Sequence, residues 1–263
     1  MHPVLFKIGN LSIGAHSFFY FMALVVIFIL LLIRGIKEGY SVDFLINFLI
    51  VVYSGGFVGC RLFYIFLHSG EVSLWDLFAF YKVGYVFYGG YIVGLTVGLI
   101  YIYVSKYNIL KVLDIVTPLL HLGIFIGRIG CHLHGCCFGI VCKTNFLCIR
   151  FPRSSDVFNH QLEAGLIPRD SSFSLAVYPT QLLESLVNGI LFFFFWVKYK
   201  KRKINGQITW EVLLAQAVVR FFLDFLRYEP KKLYGFTVSQ FISLTIIVIL
   251  VSLLFVVRKE KIS

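Results

Sequence analysis

Charge is what this sequence has least of. Only 14% of its 263 residues are Asp, Glu, Lys or Arg, while 59% are apolar and 18% are aromatic. A soluble domain is nearer half apolar and roughly a quarter charged. So few charges cannot cover a water-exposed surface, which excludes an ordinary soluble enzyme. The apolar content also excludes a disordered chain, whose defining property is too little surface to bury. No repeat at solenoid spacing, linker or low-complexity tract interrupts the sequence, so it reads as a single domain over 1–263. Its mean hydropathy of +0.87 is that of a polytopic membrane protein. The net charge of +11 is then no nucleic-acid footprint, because Lys and Arg of membrane proteins gather in cytoplasmic loops against anionic headgroups.

Seven apolar blocks are present, at about 17–33, 44–67, 83–104, 112–130, 181–197, 208–226 and 236–257. Each approaches the length of about 20 residues that crosses a bilayer. The expected fold is therefore an all-α integral membrane protein with seven transmembrane helices. The first block is not a cleaved signal peptide, since Arg34 and Lys37 follow it rather than precede it and no small-x-small site comes after. An outside N-terminus places twelve basic residues on the inner side and nine on the outer, with three inside spans. The densest run, Lys198 to Lys203, falls in a very short loop, where the positive-inside bias is most dependable. The C-terminus is then cytoplasmic, and the loop around 140–180 is external. A connection of that length is more often functional than passive.

Arginine inside a bilayer costs about 2.5–3.5 kcal/mol on insertion scales, yet Arg61, Arg128 and Arg220 lie in three different blocks. Only Asp114, Glu184, Glu211 and Asp224 are acids within the blocks. The surplus suggests a polar cavity holding an anion, and the guanidinium fork matches phosphate oxygens. A phospholipid headgroup is the anion at that depth. Helical spacing of i, i+4 and i+7 places Arg220, Asp224 and Arg227 on one face, with Pro230 as the stop.

Glycines recur at packing spacing, as Gly55, Gly56 and Gly59, then Gly94 and Gly98, then Gly123, Gly127 and Gly130. Gly89 and Gly90, just after Tyr88, are read differently, as a helix break exposing backbone N–H groups. Five of the six cysteines fall between Cys131 and Cys148, with His132 and His134 among them. Disulfides, inert packing and a zinc site are all open readings of that cluster. The spacing is not that of a standard finger, and no Cys-x-x-Cys is present.

These motifs, in this order, resemble the prolipoprotein diacylglyceryl transferase family over nearly the whole chain. The resemblance rests on His2-Pro3-Val-Leu-Phe-Lys-Ile-Gly, Gly55-Gly-Phe-Val-Gly-Cys-Arg61, Tyr88-Gly-Gly-Tyr-Ile-Val-Gly94 and Gly127-Arg128-Ile-Gly130 running on to Gly139. It continues through Tyr178-Pro-Thr-Gln181-Leu-Leu-Glu184, the Arg220/Asp224/Arg227 helix and Val238-Ser-Gln240-Phe-Ile-Ser243. Tyr88 stands where the family often has His, His16 where it has Tyr, and Cys131 where it has Asn. Gly135-Cys-Cys-Phe-Gly139 replaces Gly-Glu-Leu-aromatic-Gly. The chain is thus similar to a Cys-rich, divergent member.

The resemblance implies transfer of diacylglyceryl from phosphatidylglycerol to the lipobox cysteine of a preprolipoprotein signal peptide, in the bacterial cytoplasmic (inner) membrane. A thioether would form and glycerol phosphate would leave, with membrane lipid as solvent and no metal or organic cofactor required. It implies a catalytic set of Arg128, Arg220, Tyr88 and His16. Arg61, Gly89, Gly90, Gly139, Gln181, Glu184, Asp224 and Arg227 would bind substrate. Neutral Tyr is a poor base, its reference pKa being about 10. Tyr88 is better cast as a hydrogen-bond partner, with His16 or His132 moving the proton. Two alternatives come from other classes: a membrane thiol–disulfide or metal-binding protein using the Cys/His cluster, and a non-catalytic lipid-binding paralogue.

Overall fold

The computed structural model describes residues 4–9, 11–69, 72, 84, 86–143, 147–229 and 233–260. His2 and Pro3, the loop residues Lys82, Lys231, Lys232 and Lys261, Val83 at the head of the third block, and Pro230 lie outside the described residues. A hairpin of β1 (Val4–Ile8) and β2 (Leu11–Gly14) opens the chain. It pairs antiparallel, with Ile8 opposite Leu11 and Val4 opposite Gly14. The helices are α1 (Ala15–Lys37), α2 (Val42–Leu67), α3 (Phe87–Val104), α4 (Ile109–His134), α5 (Asp156–Glu163), α6 (Thr180–Lys198), α7 (Gln207–Leu223) and α8 (Val238–Glu260). The hairpin is an addition to the expected all-α fold.

Each of the seven apolar blocks carries a helix among the described residues. The helices Ala15–Lys37, Val42–Leu67, Ile109–His134 and Thr180–Lys201 are long and apolar enough to cross a membrane, while Tyr88–Val104 and Val238–Ser252 are shorter apolar stretches. At 1.5 Å per residue, the 17 residues of α7 span about 26 Å, short of the roughly 30 Å hydrocarbon core. Helix α7 also stops at Leu223, before the end of its apolar block. Arg227 therefore lies beyond the helix, and the i+7 placement does not apply to it.

The polarity of α6 is the reverse of a soluble helix. Leu186, Ile190, Phe193 and Val197 are exposed, whereas Gln181, Glu184, Ser185 and Asn188 are buried. Polar groups turned inward and an apolar stripe turned outward are what hydrocarbon solvent demands.

The chain divides into two compact units, one of Met1–Ile27 with Val116–Ser263 and one of Phe28–Ile115. In the second, α1 ends on Arg34 and Lys37, cations that suit a helix C-terminus. Gly39 then turns the chain at φ +86°. Helix α2 starts at a Ser41 cap, whose Oγ accepts from Phe44 N at 3.2 Å. Helices α2 and α3 pack through glycines. A Cβ on Gly59 would lie 2.6 Å from Gly89 O, and one on Gly90 would lie 2.7 Å from Gly56 O. Gly89 and Gly90 thus continue α3 instead of breaking it. Their N–H groups bond to Val86 O, because the helices touch there backbone to backbone.

In the first unit, α1 crosses α4 where Gly130 removes the side chain. A Cβ there would meet Phe19 Cβ at 2.8 Å and Ala15 O at 3.2 Å. Between α4 and α6, the segment 135–179 holds α5, a small cluster of buried Phe151, Val157 and Val177, and a Cys142–Cys148 disulfide. Helix α8 meets α7 through Trp210 Nε1, which donates to Leu250 O at 3.3 Å.

Candidate active site

One carboxylate organises the polar centre of the first unit. Glu184, buried in the first turns of α6, receives Arg128 of α4 bidentately, from Nε at 2.9 Å and Nη2 at 3.0 Å. Arg220 of α7 reaches the same carboxylate at 3.5 Å from Nη1. Arg220 Nε also meets Asp224 Oδ1 at 3.2 Å, and its Nη2 donates to Ser239 Oγ at 3.3 Å. Asp224 is held in turn by Thr237 Oγ1, which donates to Oδ2 at 2.8 Å. The arginines are therefore paired, and the expected surplus of positive charge is locally balanced. Yet Glu184 occupies only two of the five N–H donors of Arg128, and the fork remains able to grip a second anion.

The segment after α4 is tied to this centre. Gln181 Nε2 donates to Cys136 O at 2.7 Å, and Thr180 Oγ1 to Cys137 O at 3.1 Å. Gly139 bridges Arg227 in antiparallel fashion, and its N–H bonds to Tyr178 O at 3.1 Å. A Cβ at Gly139 would stand 2.5 Å from Tyr178 O and 2.7 Å from Leu226 O, so only glycine fits between the two strands of backbone. Arg128, Gly139, Gln181, Glu184, Arg220, Asp224 and Arg227 thus belong to one connected framework.

His16 belongs to the same unit, in the first turn of α1, with its ring 4.5 Å from that of Tyr20 and 6.1 Å from that of His134. His132 packs its ring edge-on against Phe151. The remaining candidates are in the second unit. Arg61 is 1% exposed and donates from Nη1 to Gly84 O at 2.8 Å. Tyr88 is exposed at the start of α3, ahead of the packed Gly89 and Gly90.

The cysteines divide by position. Cys142 and Cys148 form the disulfide, while Cys60, Cys131, Cys136 and Cys137 are free thiols. Gly135, at φ +84°, ends α4 and folds the chain back, so that Cys136 N bonds to Cys131 O at 3.2 Å. Cys137 follows at φ +56°, a strained position for a non-glycine residue. Hydrogen bonds from the Cys131 and Cys136 thiols hold the Cys137 thiol well below the usual range, with the Arg227 and Arg128 charges acting the same way. The Cys136 thiol, hydrogen-bonded to Cys131 and Cys137, is pushed up.

Residues beyond the expected set complete the framework. Asn188 Nδ2 donates to Glu184 O at 2.8 Å, and its Oδ1 lies 2.7 Å from His121 Nδ1. Gln240 Nε2 donates to Phe221 O at 3.2 Å. Glu184 and Asn188, four apart in an apolar span, were the available signal for the first pair. Thr237 and Ser239 carry no such mark.

Fold and site together define a helical membrane protein with two half-buried arginines paired to buried carboxylates. A family profile described as prolipoprotein diacylglyceryl transferase matches residues 3–256. The chain is 31% identical over 259 residues to the phosphatidylglycerol–prolipoprotein diacylglyceryl transferase of Clostridium tetani, covering 95% of each chain. It is 32% identical over 253 residues to transferase 2 of Clostridium perfringens, covering 94% of this chain and 92% of the relative. It is 30% identical over 273 residues to the transferase of Neisseria meningitidis serogroup C, with the same shares covered. The chain belongs to the prolipoprotein diacylglyceryl transferase family.

Proposed function

We propose that this chain transfers the diacylglyceryl group from phosphatidylglycerol to the lipobox cysteine of a preprolipoprotein. It does so as one transferase domain with seven spans, an outside N-terminus and the 140–180 segment on the outer face of the cytoplasmic membrane. The observation that carries the reading is the Arg128–Glu184–Arg220 cluster. Negative charge builds on phosphate oxygens as the glyceryl C–O bond breaks. Guanidinium groups already fixed in place stabilise that charge without reorganising. Glu184 and Asp224 orient the two forks, and Gly139, Gln181 and Arg227 shape the backbone beside them. We assign Arg61 and Tyr88 to the lipid-binding side of the reaction, while Gly89 and Gly90 serve the close packing of α3 on α2.

The acceptor sulfur attacks as thiolate. His16 enters α1 at the Gly130 crossing, and we assign it as the base that takes the proton of the acceptor thiol. The C–S bond forms as the C–O bond breaks, and glycerol phosphate departs on the arginines.

The test is product analysis. The purified chain, given phosphatidylglycerol and a lipobox peptide, should yield a peptide heavier by one diacylglyceryl group and one equivalent of glycerol phosphate. A peptide recovered unmodified, with the lipid intact, would overturn the reading.

A further inference from the structure

The ring of His134 stands 6.1 Å from that of His16, and its Nε2 lies 3.6 Å from Asp156 Oδ2. We propose that His134 and Asp156 relay to water the proton that His16 takes from the acceptor thiol. The inference rests on the transferase reading and deepens it, by naming where the proton goes.

Three elements build this line. A Cβ on Gly130 would stand 3.3 Å from His16 Cα, so the start of α1 lies directly on α4 there. His134 follows Gly130 by one helical turn, on the same face of α4. The first turn of α5 is fixed against the end of α4 just beyond it. Val157 N donates to Gly135 O at 3.1 Å, and a Cβ on Gly135 would meet Ser155 Cβ at 2.6 Å. Ser155 caps α5, its Oγ accepting from Phe158 N at 3.3 Å. Asp156 is then the first residue of a capped helix, a place that suits an acidic side chain. The two nitrogens of His134 have different surroundings. Nε2 faces Asp156, while Nδ1 is buried with no hydrogen-bond partner among the described residues. A buried polar atom without a partner needs a reason, and a proton arriving from His16 supplies one.

With ring centres 6.1 Å apart, the two imidazoles are too far for a direct hydrogen bond of about 2.7–3.2 Å and within reach of one bridging water. The groups facing His16 give the proton its direction. Tyr20 stacks on it from α1, and its ring nitrogen and the Cys131 and Cys136 sulfurs lie within 4.8 Å of one another. The charges that act on it are those of His134, Cys137, Arg128 and Asp156. Arg128 repels a proton held on His16, and Asp156 attracts it. The side chains of His134 and Asp156 are 38% and 53% exposed, so the line ends in water. The thiol proton passes to His16 as the sulfur pair makes the C–S bond, and the C–O pair goes to the phosphate oxygen. His16 hands the proton through the water to His134, Asp156 stabilises the imidazolium formed there, and solvent takes the proton. One proton leaves per turnover, and no group changes oxidation state.

The test uses the full chain in detergent with phosphatidylglycerol and a lipobox peptide. His134→Ala should lower kcat about 100-fold, the lower end of what a positioned acid–base group contributes, with KM for the lipid unchanged. Added imidazole should restore kcat in a saturable way and leave the parent chain unaffected. Asp156→Asn should lose less, and Asp156→Glu should recover most of that loss. Without substrate, the titration of an isotope-labelled His16 ring, followed by NMR, should shift in opposite senses in His134→Ala and Asp156→Asn. One change removes a like charge and the other an opposite one. A folded His134→Ala chain with near-parental kcat overturns the proposal, as does a loss that imidazole leaves unrepaired. A His16 titration indifferent to both changes overturns it too. No transfer by the parent chain would sink the transferase reading, and the His16 titration would still decide whether the three groups form one line.

Discussion

Removing Glu184 should separate two roles of the arginine cluster that removing either arginine would confuse. Arg128 Nη2 and Arg220 Nη1 contact the same Glu184 oxygen, at 3.0 and 3.5 Å, so they are at most about 6.5 Å apart. At an effective dielectric of about 20, two unit charges at that separation repel by roughly 2.5 kcal/mol. Loss of a buried partner as a whole costs about 3–5 kcal/mol. Glu184→Ala should therefore destabilise the protein severely. Arg128→Ala should do so less, because Arg220 still faces the carboxylate. Activity should order differently. Arg128→Ala removes a donor aimed at the leaving phosphate and should cost about 2.7–4 kcal/mol, roughly 100- to 1000-fold in rate. Arg128→Lys should rescue poorly, since an ammonium lacks the fork. Asp224→Asn should lose less, because Arg220 keeps Glu184 and Ser239. Melting followed by size-exclusion chromatography reads the first ordering, and mass gain of a lipobox peptide reads the second. The decisive protein is the double variant Arg128→Gln with Glu184→Gln. It restores neutrality without restoring the guanidinium, so it should be stable and inactive. Near-normal transfer by that protein would show that Arg128 serves only to neutralise Glu184, and would refute the phosphate role.

Three further outcomes follow from other parts of the molecule. Single new thiols in a cysteine-free background should label from outside at Ser172 and only after permeabilisation at Asn205, and the reverse pattern would invert the proposed topology. Non-reducing mass spectrometry should recover Cys142 and Cys148 in one linked peptide. Changing both to Ser should lower stability by about 2 kcal/mol, the loop-closure value for so short a ring, and an unshifted melt would deny the bridge a structural role. Gly139→Ala should cost about 1–3 kcal/mol through overpacking against the Tyr178 and Leu226 carbonyls, and a melt within error of the parent would contradict that fit.

Periodicity and composition report on what happens within a helix, and that is where the sequence reading was accurate. Each of the seven apolar blocks carries a helix among the described residues, and Asp224 meets Arg220 one turn away, as i, i+4 spacing requires. What single-chain spacing cannot supply is which helix faces which. Glu184 and Arg128 are 56 residues apart, so the arginines looked like surplus charge until α6 was set against α4. The same limit applied to Gly89 and Gly90. Adjacent glycines suit both a broken helix and a close crossing, and only Gly56 and Gly59 on the neighbouring helix decide for the crossing. The Cys/His cluster was the sharpest case. The sequence placed His132 and His134 among the cysteines, and these drew attention because they are near in the chain. The imidazole that reaches Cys131 and Cys136 is instead His16, more than a hundred residues earlier, delivered by a glycine in α4 and the first turn of α1. His16, Cys131 and Cys136 are also positions where the chain departs from the motifs it otherwise resembles.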